Sequence, residues 1–416
     1  MHQPFLAAKA AGTTQCQPVT KEQGPDGSLH AVNSRIKHTT GIALIGCGYV
    51  ADFYMSTLLN HRELVVQGVF DRDPARLLAF SQFHSLRAYD SLGALLSDPC
   101  VDMVLNLTNP ASHYDVSLAS LKAGRHVYSE KPLTLDLAQA RHLVEVAERH
   151  NLSLTAAPAT YLGEAAHAAA AAIASGKIGK VRLVYAELDD GMVFRKGCEA
   201  WRSASGAAWP VDDEFANGCT LEHASYYVTW LCEMFGPVRS VTAFASRQFD
   251  DKGTGKPATD LADDFSVSCL SFDDGVVARI TCGLVAPRDR SFRIIGDDGV
   301  LTVADGWDTR SQVFLERTNQ MVPTTGLGGF WQAVSRRLPL SLRRRSVRFG
   351  RPHYHVPLGH PGRLDYARGP SAQAQALREG KWSSRHAKLA LHVTEVTLIM
   401  AGSRTQSMGQ STQTSF

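Results

Sequence analysis

From residue 41 short apolar runs alternate with segments of helical periodicity. GIALIG precedes a helix from about 49, LVVQGVF a helix from Pro74, and VDMVLNLT a helix from about Ser112; HVYS (126–129) precedes a helix from Thr134, and LSLTAA a helix from about Gly163. Strands joined to helices by short connections predict a parallel sheet covered on both faces, since each parallel crossover lays a helix on the sheet. Five or six such units make a doubly wound sheet ending near residue 158. The rhythm then changes. Residues 180–190, 238–248, 262–271, 276–284, 290–296 and 299–303 read as strands, with turn signals such as FDDG and GDDG between them, so consecutive hairpins and an antiparallel sheet are expected. A helix from about Cys219 to Phe235 interrupts these strands and stops at Gly236-Pro237, and two more near 364–379 and 384–401 follow.

The pattern is that of an α/β chain in two domains, 41–160 and 161–404. Its 416 residues are enough for two cores. Residues 1–40, rich in Gly, Pro, Gln, Ser and Thr and without periodicity, are expected to be a disordered extension, and 405–416 a polar tail. No apolar run approaches the eighteen or more residues that cross a membrane, which points to a soluble protein. The eight cysteines form no CxxC pair and no Cys/His ligand spacing, so no metal site is expected and a reduced, cytoplasmic protein is the simpler account.

A net charge of +3 gives no bias toward nucleic acid, so specificity must come from local features. One such feature is the segment 318–364, which holds Arg336, Arg337, Arg343, Arg344, Arg345, Arg348, Arg351 and Arg363 and no acid. It suits a phosphate-bearing ligand, an anionic surface or an acidic partner, or else is a solvated insertion loop. No nucleic-acid reader module surrounds it.

The strongest chemical signal is Gly46-Cys47-Gly48-Tyr49-Val50-Ala51 after the first strand, a G-x-G-x-x-A pattern opening a helix. Gly46 permits the tight turn, Gly48 lets a pyrophosphate approach the backbone, and Ala51 lets helix and strand pack closely. The helix start at Tyr49 and Val50 offers unpaired N–H groups and a partial positive charge to phosphates. The second strand ends in Asp71, twenty-five residues after Gly46, where a carboxylate accepts from adenosine ribose hydroxyls. That favours NAD, because a carboxylate about 4 Å from a ribose phosphate repels it by roughly 4 kcal/mol at an effective dielectric near 20. Arg72 and Arg76 can reverse this by pairing with the phosphate, leaving NADP open. Glu130-Lys131-Pro132, at the end of the HVYS strand, places a lysine beside this site.

These pieces, with LNLTNPASHYDVSLASLKAGRHVYSEKPL, IASGKIGKVRLVYAEL and a glycine-preceded helix ending FGPV, resemble the Gfo/Idh/MocA oxidoreductases, the family of glucose-fructose oxidoreductase and inositol dehydrogenase. The resemblance covers roughly 41–316, with a weaker echo at 364–401. It implies a Rossmann domain followed by an α/β domain with an open, mainly antiparallel sheet that often forms an oligomer interface, hence a homo-oligomer, dimer or tetramer. It also implies that Lys131 sits near nicotinamide and substrate, and that Thr108, Asn109 and His113 line the cofactor; His113 reads equally as an ordinary helix start. Counting back from FGPV, the family's acid, acid/base and second acid fall on Glu222, Tyr226 and Thr229. The last is not an acid, many members have His where Tyr226 stands, the glycine triplet is Ala216-Asn217-Gly218, and the Asn-x-Arg after the sixth strand is missing, so substrate contacts do not transfer.

Independently of the family, Glu222 and Tyr226 lie four apart on one helix face, with His223 and Tyr227 on the adjacent stripe. Hydride transfer needs a group that exchanges a proton with the substrate oxygen, and Tyr226 with Lys131 can supply it. Ionising the tyrosine near pH 7 means lowering its pKa by about 3 units, which one desolvated lysine neighbour can largely provide. Glu222 would orient Lys131 or the substrate. His223 is the rival acid/base; Tyr226, Tyr227 and Trp230 read alternatively as core aromatics. Asp189-Asp190 and Asp212-Asp213-Glu214 read as turn and loop acids or as polyol ligands, and Trp201 and Trp209 as sugar platforms or plain packing. The expected activity is an NAD-dependent dehydrogenase acting on a hydroxyl of a sugar, cyclitol or nucleotide-linked sugar. The alternatives are NAD-dependent glycoside cleavage through transient oxidation, and a cofactor-binding scaffold docking through its basic segment.

Overall fold

The computed structural model describes residues 39–317, 345–347, 363–402 and 410–416; most of the arginine-rich segment and of the N-terminal extension lie outside them. The first unit is a five-stranded parallel sheet of β1 (Thr40–Ile45), β2 (Leu64–Phe70), β3 (Met103–Asn106), β4 (His126–Ser129) and β5 (Leu154–Ala156), in the order β2-β1-β3-β4-β5. The chain leaves β1 on one side to make β2 and returns to lay β3 on the other. That reversal opens a crevice at the carboxyl ends of β1 and β3, where ligands of doubly wound sheets bind. Helices α1 (Tyr49–Leu58), α2 (Pro74–His84), α3 (Leu92–Ser97), α4 (His113–Lys122) and α5 (Leu137–Arg149) cover both faces. β1 is buried throughout, and its side chains divide by the two-residue period. Ile42 and Leu44 pack with Tyr54 of α1 and Phe80 of α2, whereas Ala43 and Ile45 pack with Leu95 and Leu96 of α3.

After α6 (Glu164–Ala174) the second unit is built on β6 (Val181–Asp189), α7 (Val211–His223), α8 (Ser225–Phe235), β7 (Val238–Ser246), β8 (Phe265–Phe272), β9 (Val277–Gly283), β10 (Phe292–Gly296), β11 (Gly299–Val303), β12 (Val313–Arg317) and β13 (Arg345–Val347). With β14 (Gln410–Ser411) these strands form one sheet, β13-β12-β11-β10-β6-β9-β8-β7-β14, antiparallel except for the β6–β9 pair. The expected α/β architecture, a parallel Rossmann sheet plus an open, mainly antiparallel sheet, is the one observed. One sheet face packs on α7, α8 and the closing helix; the other carries Tyr185, Val267, Phe244 and Val277, with Phe244 and Val277 exposed.

Two elements tie the units together. Helices α9 (Arg368–Arg378) and α10 (Arg385–Ala401), which their place in the chain assigned to the second domain, pack on the first as well. Ala367 and Ala374 join the core around Tyr128, and Gln373 donates to Val127 O at 3.0 Å. Along α10, Ala387 and Leu391 pack with α5, while Val393, Val396 and Met400 enter the second core. The end of the chain, read only as a polar tail, returns as the edge strand beside β7. Its Gln413 and Thr414 amides donate to the Glu395 carboxylate at 2.8 and 2.9 Å, and His392 bonds the Thr414 hydroxyl at 2.8 Å.

Candidate active site

The glycine turn lies at the switch between β1 and β3. Gly46 has φ +98°, and a Cβ there would meet Leu107 O at 2.6 Å, so only glycine fits. At Gly48 a Cβ would meet nothing within 4 Å: the turn faces open space at the start of α1, whose first turn has no side-chain cap. Asp71, buried at the end of β2, accepts from the Cys47 amide through Oδ2 and from the Asp73 amide through Oδ1, at 2.8 and 2.9 Å. Each oxygen keeps a lone pair, so the carboxylate is fixed at the rim of the turn and still able to accept from a ribose. Arg76 approaches Asp71 to 3.8 Å and Arg72 is exposed beside it. Gly46, Gly48, the Tyr49 and Val50 amides and Asp71 are the groups here that could hold a dinucleotide.

Thr108 and Asn109 follow β3 on the opposite wall, both half-buried. Asn106, fully buried, folds this loop: its Nδ2 donates to His113 O and Ser117 Oγ, each at 3.0 Å, and its Oδ1 accepts from the Thr108 hydroxyl at 2.7 Å. The His113 ring is fully buried, Nδ1 2.6 Å from Pro132 O and Nε2 3.0 Å from Thr108 O. It ties the two loops at the cofactor's edge to each other rather than facing the crevice. Burial holds its pKa down against both carbonyls. Glu130 is likewise internal, accepting from the Tyr54 hydroxyl at 2.7 Å and the Lys131 amide at 3.0 Å, which fixes the backbone that presents Lys131.

Across the crevice, α7 breaks at Gly218 (φ +81°, ψ 166°), where a Cβ would strike Ala262 and Asp263. The kink lets Asn217 fold back and donate to Glu222 Oε1 at 3.0 Å, while Glu222 Oε2 meets Lys131 Nζ at 2.5 Å. This contact joins residues 91 apart in sequence and both units of the molecule. Burial pulls the Lys131 pKa down, but the Glu222, Glu214 and Glu130 carboxylates outweigh it, and the net shift is upward. A small cavity of about 30 Å³ behind Lys131, touching Tyr161, Ser225 and Thr229, has room for a water and not for a sugar.

Tyr226 lies one turn beyond Glu222, its ring 4.3 Å from that of Trp307, whose face also carries the Arg290 guanidinium at 3.6 Å. Burial pushes the Tyr226 phenol well above its ordinary pKa, and Glu130, Glu222 and Glu214 add to that. This corrects the expected lysine-activated phenolate: the lysine's charge is committed to Glu222, and Tyr226 stays protonated. His223 Nε2 lies 3.3 Å from Asp190 Oδ2, and Asp190 Oδ1 accepts from Arg290 Nε at 2.7 Å. Burial lowers the His223 pKa more than Asp190 raises it, which favours the neutral ring, and Nδ1 is buried without a hydrogen-bond partner. Tyr227 is core: fully buried, it donates to Arg290 O and packs on Phe292 at 5.1 Å. Trp230 is core too, donating to Thr160 Oγ1 at 2.9 Å.

Residues that sequence reasoning passed over complete the site. Tyr54 of α1 and Asn106 of β3, and Arg290, Trp307 and Tyr366 from separate loops, are single residues, Tyr366 packing on Tyr54 with ring centroids 5.5 Å apart; they carry no local signal beyond a polar residue ending an apolar strand at Asn106. Asp212, Asp213 and Glu214 occupy the first turn of α7, where the helix dipole favours acids, and not a loop. Trp201 and Trp209 pack on each other at a tilt of 57°, ring centroids 5.3 Å apart. Among the described residues, no group of His, Cys, Asp and Glu side chains is placed to hold a metal ion, and no helix is long and apolar enough to cross a membrane.

A glycine cradle for a dinucleotide facing a lysine, a carboxylate and a protonated phenol defines a nicotinamide-dependent oxidoreductase. The chain belongs to the GFO/IDH/MocA family: residues 40–157 match its oxidoreductase model with NAD-binding Rossmann fold, and 166–302 match its C-terminal domain. An uncharacterized oxidoreductase of Schizosaccharomyces pombe is 28% identical over 207 residues, 48% of this chain and 53% of that protein. The trans-1,2-dihydrobenzene-1,2-diol dehydrogenase of Bos taurus is 24% identical over 265 residues, 63% of this chain and 73% of that one. This chain thus spans about half to three quarters of these relatives. The fold also matches levoglucosan dehydrogenase, solved with NADH and levoglucosan, with a TM-score of 0.71 at 16% identity, covering 90% of this chain and 99% of that one.

Proposed function

We propose that the protein oxidises a hydroxyl of a sugar-type substrate, or reduces the corresponding carbonyl, with Lys131, Glu222, Tyr226 and His223 around the reacting oxygen. The observation that carries this is the 2.5 Å Lys131–Glu222 contact, which needs both units and lies across the crevice from the glycine turn. The bound nicotinamide supplies the hydride acceptor or donor. Lys131, kept cationic by Glu222, polarises the reacting oxygen, as a preorganised charge in a site largely closed to water does. Tyr226, protonated at neutral pH, donates to that oxygen when a carbonyl is reduced. His223, with Nε2 3.3 Å from Asp190, accepts the proton when a hydroxyl is oxidised. Support for a sugar-type substrate comes from the dihydrodiol and levoglucosan enzymes, both of which act on ring-bound oxygens by their names.

Within the site, Lys131 is balanced by Glu222 and Arg290 by Asp190, while burial and the neighbouring Glu222 push the Glu214 carboxyl up toward its neutral form. That balance favours a neutral sugar or polyol over a phosphate-bearing one; the arginine segment, whose charge suits a phosphate-bearing ligand, lies mostly outside the described residues. Asp71 supports NAD over NADP. The exposed apolar residues on the open sheet face, Phe244 and Val277, support a homo-oligomer joined there. The test is a screen of free sugars, inositols, sugar phosphates and nucleotide sugars following nicotinamide absorbance, with Lys131→Ala alongside. Turnover that survives Lys131→Ala, or none with any of these substrates, would overturn the reading. For the assembly, Phe244→Asp should lower the mass measured by light scattering, and an unchanged mass would exclude that face.

A further inference from the structure

A hairpin of the second unit reaches across to the dinucleotide-binding helix. At its base Trp201 and Trp209 pair, and Trp209 packs edge-on against Phe215 with ring centroids 5.8 Å apart. Arg202 bridges Ala208, the Ser203 amide donates to Ala207 O at 2.9 Å, and Gly206, at φ +92°, closes the turn by donating to Ser203 O at 3.0 Å. At the tip Ser205 donates both its amide, at 3.1 Å, and its hydroxyl, at 2.7 Å, to Oδ2 of Asp52.

Asp52 lies in α1 four residues after Gly48, one helical turn from the glycine cradle on the same face. It is buried, and its other oxygen takes His84 Nε2 at 2.6 Å. Burial raises the carboxyl, but the bonds from His84 and Ser205 prevail and its pKa is lowered, so the group is an anion. A buried helix face does not need an anion to pack; an apolar residue would fill it at less cost. What the carboxylate adds is a directed, charge-assisted attachment for a loop 153 residues away. Lifting the hairpin would leave it half-satisfied, an expensive but reversible state.

We propose that Asp52 and Ser205 form a clasp that holds the hairpin of residues 201–209 against the dinucleotide helix and sets how fast the dinucleotide leaves. Both are positioning residues. The clasp rests on the dinucleotide site and holds whatever substrate the enzyme takes.

The test is stopped-flow release of NADH from the full chain, chased with excess NAD and followed by nicotinamide fluorescence. Ser205→Ala should release NADH about five- to tenfold faster, and Asp52→Asn at least as fast as that. The double variant should be no faster than Asp52→Asn alone, because both changes cut one contact, and Ser205→Thr should stay within about twofold of the parent. Should Asp52→Asn fail to fold by circular dichroism, Ser205→Ala and Ser205→Thr decide, since residue 205 sits at a hairpin tip. NADH release unchanged in Ser205→Ala, or single effects that multiply in the double variant, overturns the clasp and leaves the dinucleotide site standing. Failure of the parent chain to bind NADH overturns both.

Discussion

Replacing Glu222 by Gln keeps the shape of the side chain and removes the charge that Lys131 faces. At 2.5 Å, with Lys131 14% and Glu222 8% exposed, the attraction is about 7 kcal/mol at an effective dielectric near 20. Desolvation of both groups offsets much of this, and removing one partner of such a pair costs about 3–5 kcal/mol. Because the folded pKa of Lys131 is raised, the pair's contribution is complete below the unfolded value of about 10.4 and lost as pH rises through the folded value. In Glu222→Gln, burial is opposed only by Glu214 and Glu130, so the lysine should titrate lower by about two units or more. The assay needs no substrate: acylation of Lys131 across pH, read by peptide mass spectrometry, follows the neutral amine directly. Its midpoint should fall in Glu222→Gln, and the variant should melt earlier at pH 7. A midpoint that stays put or rises would refute the electrostatic account of this pair.

Four other outcomes follow from the same geometry. Gly46→Ala should destabilise the fold by about 2 kcal/mol or more, since its Cβ meets Leu107 O at positive φ, whereas Gly48→Ala should melt like the parent and lose NADH binding by fluorescence titration. Asp71→Ser should improve NADPH affinity relative to NADH by tenfold or more, with Arg76 freed to meet the phosphate. Asp189, whose pKa is pushed up to about 6 by burial and by Asp289 and Asp190, carries a penalty that is absent below about pH 4 and complete above that raised value. Asp189→Asn should therefore raise stability by about 1–2 kcal/mol at pH 8 and not at pH 4, an equal effect at both counting against it. In pH-rate profiles, His223→Ala should remove the acidic limb of hydroxyl oxidation while Tyr226→Phe lowers carbonyl reduction; loss of both directions in Tyr226→Phe alone would return the base role to the tyrosine.

The two architectures and the cofactor turn were legible from the chain because each rests on local periodicity. A buried parallel strand needs a continuous apolar run, a half-buried antiparallel one an alternation, and a pyrophosphate turn needs glycines at set positions. Lys131, Glu222, Tyr226 and His223 were legible as residue types at a strand end and along one helical stretch. Their charge states were not. Whether Tyr226 is ionised depends on which partner takes the Lys131 ammonium, and Glu222, 91 residues away, takes it.

The tertiary structure alone decided the rest. His113 turns inward between two carbonyls, Asn217 folds back to hold Glu222, and Arg290 and Trp307 arrive from distant segments to wall the site. The closing helices and the last seven residues bind both units and the sheet edge through Gln373, His392 and Glu395, although their sequence reads as amphipathic helix and polar tail. The physical reason is one of range. Backbone preference and burial periodicity act between neighbours along the chain, whereas desolvation and Coulomb interaction act between neighbours in space, and those neighbours exist only once the sheets have closed on each other.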